Sequence, residues 1–304
     1  MRELYHVSSG GSAAGLRAVL GYAGFPAGLM ALAVLPLVLD RARGRVVRNW
    51  ALIAAALAAT LFLPGAFGDE TIDARPANVF AAVGVGLTLL LTIAAARHGG
   101  VRRSWRREPG DRVRLLVGGV LLFCALPWIA AGWDVSLHVP VLRSLFLTDQ
   151  LRSQPGVPGL HQAVHAGFHH GWGGVMLALT ALLLSRSLPY FRRPRLRHGL
   201  ALYLSFLLAY GLANAVQDFQ LEQLVKRGVT TYQLPMVLAP SLSWAWAILL
   251  AVAVAIYVLA LRPLAAAGDK RSGGGRIRTS EGRANGFTAR PLWPLGNTPW
   301  GGQL

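Results

Sequence analysis

Charge is what this sequence has least of. Thirteen Asp and Glu and 30 Lys and Arg are spread over 304 residues, so 14% of the chain is charged, where a soluble domain carries about 25%. A chain so short of charge is not built to face water on all sides. Cysteine is nearly absent as well. The single Cys124, in LLFCALP, excludes an internal disulfide and is expected to be a small buried hydrophobe. Lysine is limited to Lys226 and Lys270, so the net charge of +17 is almost wholly arginine. With so much Ala, Gly and Val, that bias points to a GC-rich genome and says nothing about function. There is no nucleotide-binding loop, since the only Gly-Gly-Gly, at 273–275, has no strand before it.

What the sequence does have is long apolar runs. Segments of about 20 residues alternate with short Arg-rich connectors, and runs of that length match the roughly 30 Å hydrocarbon core of a bilayer. The fold class this predicts is an all-α integral membrane protein, a bundle of seven transmembrane helices over 18–39, 49–67, 78–97, 113–133, 167–186, 199–217 and 241–261. Residues 1–17 then form a short extracytoplasmic N-terminus and 18–262 the membrane domain. Pro26, Pro36 and Pro127 fall inside or near the ends of spans, where neighbouring helices can satisfy the freed carbonyls. The first span is not expected to be a cleaved signal, because an Arg cluster follows it instead of a small-residue cleavage site.

The connectors orient the bundle. Arg41, Arg43, Arg45 and Arg48 lie in the first, seven Arg lie in 97–114, five in 186–198 and seven Lys plus Arg from Arg262 onward. Every second connector is basic, as the positive-inside rule requires of seven spans with the N-terminus outside and the C-terminus in the cytoplasm. A prokaryotic plasma membrane is the expected location. A pI near 11.5 is therefore no sign of nucleic-acid binding: the charge sits beside helix ends, where it sets topology and attracts anionic lipid. The expected partners are the lipid bilayer and either a membrane protein or a second copy of the chain.

Residues 263–304, rich in Gly, Pro and Arg without a period, are expected to be a disordered basic cytoplasmic tail. Its RIRTSEG resembles the product of a reading frame running on through a transfer-RNA gene, since Arg-Ile-Arg-Thr can be encoded by the complement of the T-arm. Deletion of 270–304 is expected to leave any activity intact.

The polar residues that could carry chemistry gather on the outer side. In HQAVHAGFHHGW, residues 161–172, four histidines stand within ten positions. Pro155 and Pro158 break the chain ahead of it, so a helix starting near Gly159 would place His161, His165, His169 and Trp172 on one narrow stripe, at about 100° per residue. His170 falls on another face. Asp134 and His138 are i, i+4 at the end of the fourth span, and Asn214, Asp218 and Glu222 repeat that spacing at the end of the sixth. Ionisable groups at such depth usually face a bundle interior or a wet cavity.

Imidazoles with carboxylates suit zinc, iron or copper better than magnesium or calcium, and leave haem open. A catalytic metal takes about three protein ligands and keeps one position open. The metal set expected is His161, His165, His169, His138 and Asp134, with His170, Asp218 and Glu222 as further ligands or a proton relay. The site would serve a membrane metalloenzyme acting on a lipid or other apolar substrate. HQAVH is not HExxH, because Gln162 stands where the general-base Glu would be, and the spacing HxxxHxxxHH does not match the histidine boxes of membrane desaturases. Three other readings remain open at this stage. The stretch could be an interfacial helix end, where His and Trp are both at home. The same groups could serve a carrier, although the span centres are Leu, Ala and Val with no inverted repeat. The bundle could also be a structural or assembly subunit. Asp218 and Glu222 on their own are expected at a solvated helix end, His98 and His198 in solvated connectors, and Trp105, Trp128, Trp133, Trp172, Trp244 and Trp246 at the membrane interface.

Overall fold

A computed structural model describes residues 11–42, 44–62, 78–99, 108, 110–132, 151–154, 157–162, 170–238 and 240–273, with side chains excepted at 11–25, 78, 98–99, 127, 130–132, 152–154, 157, 161–162 and 268–273. The described chain is predominantly helical, and a helix lies in each of the seven apolar runs. In order these are α1 (Gly11–Arg41), α2 (Arg45–Ala59), α3 (Asn78–Gly99), α4 (Asp111–Gly132), α5 (His170–Ser185), α6 (Pro194–Gln220) and α7 (Trp244–Ile256). The short antiparallel strands β1 (Leu151–Gln154) and β2 (Val157–Gln162) lie between α4 and α5. Four helical stretches among the described residues are long and apolar enough to cross a membrane: Arg45–Phe62, Val79–Arg97, Pro194–Val225 and Trp244–Ala267, while His170–Ser185 is apolar but shorter.

The ends of these helices follow local chemistry. Pro194 opens α6 at a position whose N–H has no helical partner to lose, after Arg193 in extended backbone. Ser243 caps α7, its hydroxyl accepting from the Trp246 N–H at 3.4 Å. Both α6 and α7 loosen into a π turn, over Leu221–Val225 and Tyr257–Leu261. After the second turn the helix continues as α8 (Arg262–Gly273). The tail expected to be disordered from residue 263 therefore begins as helix. Leu261 and Ala265 are buried in the main core, and α8 packs on the turn at Leu188–Tyr190. Residues 274–304 lie outside the described part.

Helices α5 and α6 form the centre. Leu177 and Ala181 of α5 meet Leu200, Leu204 and Leu207 of α6, with Leu29 and Ala33 of α1 and Trp246 and Leu249 of α7 completing the core. Their crossing is close because both partners are glycine. A Cβ at Gly174 would lie 2.5 Å from the Gly211 carbonyl oxygen and 2.8 Å from the Ala215 nitrogen, and one at Gly211 would meet Gly174 and Ala178 at the same two distances. Such small residues let backbones approach where side chains would hold them apart. Gly84 of α3 likewise lies against the α2 backbone at Ala54 and Ala58. Around this frame the surface is apolar: Leu115, Phe123, Leu183 and Leu259 are all more than two-thirds exposed. Cys124, next to Phe123 on α4, is exposed, not buried as its setting suggests.

The residues flanking alternate connectors meet at one end of the bundle. Asp40, at the end of α1, accepts from the main-chain N–H groups of Arg192 and Arg193. Asp111, opening α4, pairs with Arg114 at 3.0 Å and with Arg186, just past α5, at 3.3 Å. Arg114 Nε also donates to Ser185 Oγ at 2.9 Å, and the Tyr190 hydroxyl bonds the Glu108 carboxylate. His198 is half-buried with Nδ1 3.4 Å from Tyr257 Oη, so it is not simply solvated. Arg197 is fully buried and donates to the Phe191 carbonyl. This is the basic end.

Candidate functional site

The opposite end of α6 carries a buried polar stripe. Asn214, Asp218 and Glu222 stand at successive i+4 positions, with relative exposures of 3%, 1% and 4%. The spacing is the one expected from sequence, but the solvated helix end expected for Asp218 and Glu222 is corrected. For Asp218 the physical reason is the Gly174–Gly211 crossing, which draws α5 close over Asn214 and Asp218. Asn214 Nδ2 bonds back to the Tyr210 carbonyl at 2.9 Å. Glu222, on the π turn, accepts from Lys226 Nζ at 2.5 Å. Gln217 and Gln220 are buried beside them.

Asp218 sits against the first turn of α5. A methyl group on Gly171 would lie 2.6 Å from Asp218 Oδ2 and would collide with the ring of Trp128 from α4. Glycine at 171 is thus what allows a carboxylate and an indole from two other helices to converge on the start of α5. The positive pole of that helix end favours a negative group there. Trp128 is 7% exposed and packs with Ala125, Val175 and Ala215. With Trp246, 9% exposed and stacked near Phe206 and Tyr210, it departs from the interfacial role expected of it. Trp244, 62% exposed, keeps that expectation open.

Above the stripe, the segment 229–238 is tied down by α6. Gln220 Nε2 donates to the Tyr232 carbonyl at 2.5 Å, its Oε1 accepts from the Leu234 N–H at 3.3 Å, and the Tyr210 hydroxyl donates to the Leu238 carbonyl at 2.7 Å. These two residues, Tyr210 and Gln220, went unnoticed in the sequence. Tyr210 had a signal in its phase, four residues before Asn214 on the same side of α6; Gln220 lies on the other side of the helix and had none.

The histidines fare differently. His161 does not lie on a helix: residues 157–162 form β2, and His161 is the register partner of Arg152 in β1. The reason is Gly159, whose φ of 94° is incompatible with a helix start there. Proline at 158 has no N–H to give a ladder and is tolerated in so short an edge pairing. The helical stripe through His161, His165 and His169 is therefore broken at its first member. His170 begins α5 and is exposed. Asp134, His138, His165 and His169, and the side chain of His161, lie outside the described residues. Among the described residues, no group of three or more His, Cys, Asp or Glu is placed to hold a metal ion. What converges within them is a buried carboxylate, Asp218, with an indole and a helix start, and a second buried carboxylate, Glu222, one turn further on.

No family model, no curated protein and no solved structure matches this chain.

Proposed function

We propose that the chain is a seven-span protein of a prokaryotic plasma membrane, with its N-terminus outside and its basic end in the cytoplasm. At its outer end it would hold a transition-metal site of a membrane metalloenzyme. The observation that carries this reading is the burial of Asp218 beside the first turn of α5. The stretch containing His161, His165, His169 and His170 leads directly into that turn, and Gly171, which accommodates the carboxylate, is the next residue after His170. Imidazoles arriving on the adjoining segment are of the type that share zinc, iron or copper with a buried carboxylate. Asp134 and His138, just past the end of α4, would complete the set, with haem as the alternative occupant. The orientation rests on the gathering of the basic connectors at one end.

The test is elemental mass spectrometry of detergent-purified protein beside a His161→Ala, His165→Ala, His169→Ala triple variant and an Asp218→Asn variant. Near-stoichiometric zinc, iron or copper lost in the folded variants is the expected result. Metal absent from the wild type even after reconstitution, or unchanged in folded variants, would refute it.

The contact between Asp218 and the start of α5 also favours a second reading, in which the carboxylate is a cap joining two helices of a structural or assembly subunit. In that case Asp218→Asn lowers thermal stability with no metal to lose, and a stoichiometric membrane partner or second copy co-purifies.

A further inference from the structure

We propose that the basic end carries a binding site for the phosphate of an anionic phospholipid, walled by Arg41, Arg45 and Arg48 on one side and Arg192, Arg193 and Arg195 on the other. The organiser is Asp40. It is 7% exposed, and its carboxylate accepts from the Arg192 N–H at 3.1 and 3.0 Å and from the Arg193 N–H at 2.9 Å. The Asp40 carboxylate is thus committed to main-chain donors. It pins the start of the second wall to the last turn of α1, immediately before Arg41, and α2 opens at Arg45.

All six arginines are exposed. None has a carboxylate partner among the described residues, whereas Arg114 and Arg186 at the same end both pair with Asp111. Guanidiniums from two connectors held together without counter-charge repel one another, and an anion between them relieves that repulsion. The planar fork of arginine matches phosphate oxygens two at a time.

The apolar flank decides between a soluble phosphate and a lipid. Directly beyond Arg45 and Arg48, α2 exposes Val46, Trp50 and Ile53, at 68%, 49% and 44%. Tryptophan at a helix end beside arginines marks headgroup depth, and the exposed aliphatic face below it suits an acyl chain. The ligand class is therefore an anionic glycerophospholipid, whose phosphate lies between the two walls and whose chain runs along α2. The inference rests on the membrane placement proposed above, but not on the metal site.

The experiment titrates the full-length, detergent-purified chain with fluorescent phosphatidylglycerol, with phosphatidylcholine as the zwitterionic control and glycerol 3-phosphate as the soluble competitor. Saturable binding of phosphatidylglycerol, weak binding of phosphatidylcholine and no competition by glycerol 3-phosphate are expected. Neighbouring basic residues are worth about fivefold each in anionic-lipid affinity, so R192Q/R193Q should weaken binding by about 25-fold. Glutamine leaves the N–H groups that Asp40 binds, so the fold is kept. R41Q/R45Q reaches the other wall and should lose a similar factor. R112Q/R262Q removes two exposed charges from the same end without touching either wall, and should change binding less than about threefold. Losses in both wall pairs no greater than in this control pair, equal binding of phosphatidylcholine, or glycerol 3-phosphate binding as tightly as the lipid would each overturn the proposal. Extraction of the chain from membranes by alkaline carbonate would instead sink the membrane placement, so the two failures are distinguishable.

Discussion

Adding one methyl group at Gly174 should part the two central helices. In Gly174→Ala the new Cβ would sit 2.5 Å from the Gly211 oxygen, 2.8 Å from the Ala215 nitrogen and 3.2 Å from Asn214 Cβ. Comfortable carbon contacts begin near 3.5 Å, so α5 and α6 must separate by about 1 Å, and a gap of that size forfeits a quarter to a half of the dispersion energy along the contact. The obstructing atoms are backbone, which cannot rotate away. An overpacking cost of about 2–3 kcal/mol is expected, offset by up to about 1 kcal/mol for replacing glycine by alanine in a helix. The net is a loss of about 1–3 kcal/mol. Gly119→Ala provides the control, because nothing lies within 4 Å of a Cβ there and only the helix-propensity gain remains. Gly211→Ala meets the reciprocal obstacle, so the double variant Gly174→Ala/Gly211→Ala should cost less than the sum of the singles. Once the helices have moved apart for one methyl, there is room for the second. Reversible unfolding in mixed micelles, followed by tryptophan fluorescence, measures all four. If Gly174→Ala were as stable as the wild type, or the two glycine variants additive, the close crossing would be wrong.

Three further outcomes are expected. The Glu108 N–H bond to Asp111 (2.8 Å), followed by the charges of Arg186 and Arg114, holds the Asp111 carboxyl below its ordinary value of 3.8 against the opposing effect of burial. Its folded pKa is lower than its unfolded one, so its contribution is complete above the unfolded value and is lost as pH falls through the folded value. Thermal melting between about pH 5 and pH 2 should show a loss on acidification that Asp111→Asn lacks. Cys124, exposed beside Phe123 on α4, should face lipid. A charged, water-soluble maleimide should label it in denatured protein and not in intact membranes; labelling in intact membranes would place that face of α4 in water. Removing 274–304 should leave the melting temperature unchanged, whereas removing 262–304 should lower it by several degrees, because Ala265 is lost from the core.

The helices were legible because bilayer-length apolar runs need no partner to be read. Tertiary burial was not. Asp218 reads as solvated because its neighbours in sequence, Gln217 and Gln220, are polar; only the approach of α5 encloses it, and no single sequence pairs Gly174 with Gly211. Helical phase groups Asn214, Asp218 and Glu222 in one stripe, but phase carries no information about what covers it. The strand at His161 was missed because a Pro-Gly pair was read as the start of a helix, although Gly159 adopts a left-handed conformation. The helical start of the tail was hidden by its Gly and Arg content, while LAAA at 264–267 is good helix-forming sequence.

The buried polar stripe of α6 has a consequence for how the protein is made. Alone in hydrocarbon, a helix exposing an aspartate and a glutamate, with Asn214 and Gln217 near them, would carry several kcal/mol against its own insertion. The aspartate's and asparagine's share of that cost falls away only when the small residues of α5 and the indole of α4 lie over them. The sixth helix is therefore poorly suited to leaving a translocon by itself. It should dwell there until α5 has folded back on it, so that the two partition into the bilayer as one hairpin. In the newborn chain, Gly174 and Gly211 would then act on the order of assembly before they act on the stability of the finished bundle.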